Sequence, residues 1–251
     1  MPLPVRRTGN PGLNEKTFAS LPRVGIGVDG MTLKGTIDKS FLLLIVLMVA
    51  ALWPWSQMAN GDLQAVSATM MLGFLGGLVL GVVISFKATL APYLAIPYAA
   101  LEGLGVGGVS AILEQRYPGI AIQAVGLTFG VLAVLLVAYR MRLIRVTAQF
   151  RAMVIGATGG IMLLYLAAWV LSFFHVSVPV LYAASPLGIG ISLVIVGVAA
   201  LNLVLDFDLI ERGVAGGAPK YMEWYSAFGL MVTLVWLYLE LLRLLSKVRR
   251  N

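Results

Sequence analysis

Long apolar runs separated by short polar clusters fill this chain from about residue 40 onward. Seven of them approach the roughly 20 mostly apolar residues that an α-helix needs to cross a hydrocarbon core. They predict spans at Ser40–Met58, Ala65–Phe86, Ala88–Leu113, Gly119–Tyr139, Ala152–Phe174, Pro186–Leu205 and Trp224–Leu245. The first six stand on length alone, whereas the seventh contains Glu240 and Arg243. No period of 20–50 residues repeats, and no interior stretch is long and polar enough to form a second domain. The pattern therefore predicts an all-α polytopic membrane protein with a seven-helix domain at residues 39–251. Residues 1–38 are polar and rich in Gly and Pro, without the apolar run of a signal peptide. They cannot bury a core, and read as a flexible tail.

Composition agrees: 60% of the residues are hydrophobic and 12% charged, against about 25% charged in a soluble domain. There is no cysteine and a single histidine, His175. Disulfides, thiolate metal sites and multi-histidine metal sites are thereby excluded. The net charge of +7 does not point to nucleic acid, because the basic residues gather at the ends of the spans. Those positions set orientation in a bilayer. The tail, the second turn (Lys87), the fourth (Arg140, Arg142, Arg145, Arg151) and the sixth (Arg212, Lys220) together carry thirteen basic residues; the opposite side carries only Arg116 before the last span. By the positive-inside rule the N-terminus is expected in the cytoplasm. The last span is ambiguous. A full crossing exports Arg243, Lys247, Arg249 and Arg250, while a re-entrant segment keeps them inside. Its length favours the full crossing.

Small residues recur at four-residue spacing: Gly73, Gly77 and Gly81; Ala99, Gly103, Gly107 and Ala111; Gly156 and Gly160. Such stripes let helix backbones approach closely where lipid supplies no hydrophobic driving force between helices. They predict a compact bundle.

Three acidic residues lie where hydrocarbon is expected, and an ionisable group at that depth costs at least about 2.5 kcal/mol. Asp206 closes an uncharged run from Val176 to Leu205, Glu240 sits inside the last span, and Glu102 lies midway along the third. Each has a structural reading beside a functional one. Asp206 can cap a helix end, Glu240 can pair with Arg243 three residues on, and Glu102 can serve as a helix–helix contact. Asp208 has Arg212 at i+4, a routine helical ion pair. On a helix Asp206 points about 200° away from Asp208, so it is the one left to face the bundle. The functional reading joins Asp206 and Glu240. Two carboxyls within a few ångströms cannot both ionise easily and would titrate as one pair. That makes a pH-sensitive latch, or a cation site whose hard oxygens suit Ca²⁺. Arg243, Asp208 and Glu102 would be its supporting neighbours.

Enzyme chemistry is not expected. No Gly-x-Ser-x-Gly, His-Glu-x-x-His or phosphate-loop motif occurs, and one histidine cannot furnish a dyad by itself. A proton-coupled transporter would be expected to show inverted repeats or paired broken helices. Only Pro92, Pro97, Pro179 and Pro186 offer candidate breaks.

The stretch Leu203-Val-Leu-Asp-Phe-Asp-Leu-Ile210, followed by Leu237-Tyr-Leu-Glu-Leu-Leu-Arg-Leu-Leu245, resembles the C-terminal signature of the transmembrane Bax inhibitor motif family. Tyr98-Ala-Ala-Leu-Glu-Gly-Leu-Gly-Val-Gly-Gly-Val-Ser110 is similar to that family's glycine-rich third helix. The resemblance covers about residues 40–245. It implies seven helices with the last one central, and a pH-dependent Ca²⁺ leak sensed by an acidic pair, here Asp206 and Glu240. Ca²⁺ would be the transported or regulatory ion, with no bound cofactor. It also implies an alternative, a non-conducting regulator that binds an integral-membrane protease or other membrane partner through the tail and the last loop. Three features depart from the family pattern. The seventh-helix acid is Glu240 rather than Asp, the loop at 213–223 is longer, and the N-terminal tail is extended. They suggest a divergent bacterial branch resident in the inner membrane.

Overall fold

The computed structural model describes residues 30–174 and 183–250, nearly all of them in seven helices. These are α1 (Leu33–Ala59), α2 (Leu63–Phe86), α3 (Ala91–Arg116), α4 (Ile120–Arg140), α5 (Ala148–Phe173), α6 (Pro186–Ala215) and α7 (Met222–Arg250), and a single 3₁₀ turn, Ala88–Leu90, leads into α3. All seven are long and apolar enough to cross a membrane. A helix satisfies its backbone polar groups within the segment, as hydrocarbon requires. The chain is an all-α polytopic membrane protein. His175 and Pro179 lie outside the described residues.

Four boundaries differ from the pattern-based ones, each for a local reason. α1 begins at Leu33 because the Thr32 hydroxyl accepts from the Gly35 amide at 3.0 Å, an N-cap that ties off a free donor. Residues 33–38 thus belong to the bundle rather than to the tail. α5 starts at Ala148, capped by Thr147, so Arg151 sits in its first turn instead of in a loop. α6 continues past Leu205 to Ala215 and takes Asp206, Asp208, Glu211 and Arg212 into the helix. α7 is unbroken over 29 residues, about 43 Å at 1.5 Å per residue. It is long enough to cross fully, and no re-entrant turn interrupts it. Pro92 and Pro186 occupy first-turn positions, where a missing N–H is harmless; Pro97 lies inside α3 without ending it.

α7 is the most buried helix and packs on α1, α3, α4 and α6. α3 packs closely on both α1 and α2, and here the glycine stripes do what their spacing predicts. A Cβ at Gly107 would lie 2.6 Å from the Ala51 carbonyl oxygen. At Gly103 it would collide with the Leu47 carbonyl, and at Gly73 with the α3 backbone at Gly105. The third stripe is different. A Cβ at Gly156 or Gly160 would meet nothing within 4 Å, so these glycines are not close-packing contacts. α5 leans on α6 and makes few backbone approaches elsewhere.

At the end of the bundle that holds the α1 N-terminus, Glu223 is completely buried at the start of α7. Its carboxylate accepts from the Thr32 amide at 2.8 Å and hydroxyl at 2.7 Å, and pairs with Lys220 at 2.8 Å and with Lys39. An isolated bridge, Gly30 to Pro219, and a Met31 N–H···O=C Ala218 bond of 2.7 Å join the same two segments. The start of α1 and the α6–α7 loop are therefore one unit.

The glycine contacts generate a contrast. Gly103→Ala and Gly107→Ala should each destabilise the folded protein by about 1–3 kcal/mol through overpacking. Gly156→Ala should instead be neutral or stabilising by up to about 1 kcal/mol, since Ala is the better helix former. Unfolding midpoints in mild detergent check both.

Candidate functional site

α6 and α7 are antiparallel, joined by the six residues 216–221. Their register is fixed at both ends. The six-residue loop sets the end of α6, Ala215, about level with the start of α7, Met222, and at the far end the Lys247 ammonium donates to the Gly188 carbonyl at 3.0 Å and the Ser192 hydroxyl at 2.8 Å. Between them Leu203 and Phe207 share a buried cluster with Leu234. By the same count Asp206 lies level with Met231, and Glu240 level with Gly197. Nine positions separate the two levels, about 13 Å at 1.5 Å per residue. Both carboxylates are buried, Asp206 at 1% exposure and Glu240 at 2%. They straddle the middle of the bundle, one in each half. Counted this way, the two carboxylates stand at different levels along the helix pair. Among the described residues no three His, Cys, Asp or Glu side chains cluster as a metal site.

Glu240 sits in a polar group of its own. Glu240 accepts from the Tyr165 hydroxyl at 2.8 Å, from Arg243 at 3.0 Å and from the Trp236 indole at 3.3 Å. Arg243 also donates to the Tyr165 hydroxyl and lies 5.0 Å from that ring's centre. The i+3 pairing of Glu240 with Arg243 anticipated from spacing is thus present. In the other half Asp208 pairs with Arg212 as expected, and also with Arg151 at 2.8 Å. Arg151 is only 3% exposed. Asp206 lies two residues before Asp208 on the same helix. Glu102, half-buried near the middle of α3, lies beside Tyr98 one turn earlier and against Gly77 of α2. It belongs to the α2–α3 contact, away from the α6–α7 register.

Sequence reasoning missed the residues that connect these groups. Arg151, Thr158 and Tyr165 stand seven apart on α5, and a seven-residue step returns to nearly the same helix face. Arg151 reaches Asp208 of α6, Thr158 accepts from the Asn202 amide of α6 at 2.8 Å, and Tyr165 reaches Glu240 of α7. The stripe runs about 21 Å along α5, against a hydrocarbon core about 30 Å thick. A line of polar ties at three depths, between a helix with open space at its glycines and the two helices that carry the buried acids, is the candidate site. The heptad spacing of Arg151, Thr158 and Tyr165 was the available signal, hidden because Arg151 reads as a loop charge.

Comparison with known proteins adds one finding. The model of a family described as Bax inhibitor 1 like matches residues 6–250, nearly the whole chain. No curated protein matches, and no solved structure matches.

The register can be checked by cross-linking, since the chain contains no native cysteine. Ser192→Cys with Lys247→Cys should be joined by a short bis-thiosulfonate linker. Asp206→Cys with Glu240→Cys should not. Efficient linking of the second pair in the resting protein would refute the assigned register.

Proposed function

The chain belongs to the Bax inhibitor 1 like family, and from that premise we propose that it is a pH-sensitive cation leak whose path follows the seam between α5, α6 and α7. The observation that carries this reading is the polar stripe Arg151–Thr158–Tyr165, which meets part-buried Asp208 at one depth and buried Glu240 at another. A purely structural helix–helix contact in lipid has no need of charge at both ends of such a line, because buried ion pairs are weak evidence of stability. Hard carboxylate oxygens make Ca²⁺ the natural cargo.

In this reading Glu240 is the switch and Asp206 a separate cation-attracting group in the other half of the path, while Asp208 faces α5 and holds Arg151. While Glu240 is ionised it holds Arg243 and Tyr165, and through Tyr165 it holds α5 against α7. Protonation removes the negative half of that ion pair. Arg243 is then left without its counter-charge, and α5, which has few other ties to α7, can swing from the seam. The leak therefore rises as pH falls. Glu102 stands apart from the seam and takes no part in the switch. The charge bias of the loops supports an N-terminus in the cytoplasm, and the bacterial inner membrane is what the family resemblance implies.

A second reading has its own observation. The Gly30–Pro219 bridge and the Glu223 cluster join the N-terminal segment to the α6–α7 loop. That joined surface is where an integral-membrane protease or another membrane partner would dock on a non-conducting regulator. Stable capture of a partner by cross-linking from this surface, with no flux in liposomes, would favour it.

Ca²⁺ flux in liposomes tests the first reading. Glu240→Gln cannot carry the negative charge, so its leak at neutral pH should equal that of the native protein at acid pH, with a flat profile. Asp206→Asn should lower the flux while leaving its pH dependence in place. An unchanged pH profile for Glu240→Gln sinks the proposal.

A further inference from the structure

The end of the bundle opposite the Glu223 cluster holds two features that the seam does not use. One is a groove of about 330 Å³ between α1, α3, α4 and α7, bordered by Leu47, Trp55, Ser110, Val125, Phe129 and Tyr238. Its few hydroxyls are already engaged. Ser110 and Tyr238 bond each other at 2.7 Å, Ser110 donates to the Val106 carbonyl at 2.6 Å, and Thr128 donates to the Ala124 carbonyl at 2.8 Å. A water molecule needs two to four polar partners, and a cavity that cannot supply them stays dry. Hydrocarbon fits such a surface.

The other feature is a smaller pocket of about 130 Å³ bordered by Arg116, Lys247, Arg250 and Ser246. Two arginines, Arg116 and Arg250, border it, and Lys247 lines it while its ammonium turns to α6. Arg116 lies 5.8 Å from the centre of the Tyr117 ring, and Lys247, 4% exposed, donates only to neutral oxygens of α6. Among the described residues none of the three is paired with a carboxylate; nearby Glu114 is held by the Gly119 and Ala121 amides at 2.5 and 2.9 Å. Two arginines with no carboxylate partner beside one small hollow, with a buried ammonium behind it, suit an anion.

Groove and pocket follow one another along α3 and α7. Ser110 borders the groove and Leu113, a turn later, borders the pocket; on α7 Tyr238 and Ser246 do the same. Eight residues separate these last two, about 12 Å of helix, which is less than the half-thickness of the hydrocarbon core, about 15 Å. We propose that one phospholipid with an anionic headgroup occupies this two-part site, its phosphate between Arg116 and Arg250 and one acyl chain in the groove. The site is independent of the seam and of any conduction through it. It also gives the basic residues at the end of α7 a counter-charge on their own side of the bilayer.

The test uses the full-length protein in nanodiscs of mixed phosphatidylglycerol and phosphatidylcholine, released and weighed by native mass spectrometry. The native protein should retain one lipid, with phosphatidylglycerol preferred about tenfold, as expected for a pair of arginines near an anionic headgroup. Arg116→Gln with Arg250→Gln should remove the preference while a lipid is still retained. Val125→Trp fills the groove and should abolish retention of either lipid; Ile122→Trp, at the lipid-facing edge of the same groove, repeats the test should Val125→Trp fail to fold. Retention unchanged by a folded groove variant, an unchanged lipid ratio in the double arginine variant, or a folded native protein carrying no lipid would each overturn the proposal. Displacement of the headgroup preference by inorganic phosphate, with no effect of the groove variants, would assign the pocket to a free anion and likewise overturn it.

Discussion

The register between α6 and α7 is the constraint on which the rest of this molecule depends. Six residues join two helices that each exceed the thickness of the hydrocarbon core, so the connection leaves no slack for one to slide along the other. Glu223 pins the loop end through Thr32, Lys39 and Lys220, and Lys247 pins the far end through Gly188 and Ser192. Every polar group between those two anchors has its depth assigned by counting. Two acids that look like partners by resemblance fall at different levels by that count, and Glu240 has its own neighbours in Tyr165, Trp236 and Arg243.

The bundle divides into a tight part and a loose part, and the division follows side-chain size. α1, α2 and α3 meet through glycines whose missing Cβ atoms let carbonyl oxygens and backbones touch. Packing of that kind has no second arrangement close in energy, because interiors at crystal-like density deform little. α5 has glycines too, but nothing lies against them. α5 is held inward by buried Val154, Ile161 and Ala168 and by polar ties at seven-residue intervals, of which the ion pair to Asp208 and the bond to Glu240 depend on protonation in a way that van der Waals contact does not. The same residue type therefore marks rigidity on one side of the molecule and freedom on the other.

Much of this was legible in the sequence. Length and hydropathy gave seven spans, because a bilayer demands about 20 apolar residues per crossing, and α7 proved continuous as its length suggested. The glycine stripes of α2 and α3 were legible for the reason that lipid makes small residues useful at contacts. The stripe at Gly156 misled, since spacing shows which face small residues share and not whether another helix lies against it. Asp208 with Arg212 and Glu240 with Arg243 were readable as local pairs at i+4 and i+3. The depth of Asp206 relative to Glu240 was not, because it depends on where α6 ends, and apolar pattern placed that end ten residues early. Arg151 was lost for a related reason. A charge near a predicted boundary reads as loop, and only the Thr147 cap reveals that the helix has already begun.

Lys247 carries a consequence for how the chain reaches its final form. Its ammonium is buried against α6 at the end of the bundle remote from the α6–α7 loop, and Arg249 reaches the Pro118 carbonyl and Gln123 from the same turn. If that loop stays on the side from which the chain is delivered, the basic end of α7 has to be carried across the hydrocarbon during synthesis, and each such charge at mid-bilayer costs about 3 kcal/mol on insertion scales. Glu240 and Arg243, three apart on one helix, can neutralise each other before crossing; Lys247 cannot, because its partners belong to α6. The final helix is thus a poor candidate for entering lipid alone. It needs α6 already standing in the membrane as a polar rail, which makes the order of assembly, and not only the finished packing, a property written into the last two helices.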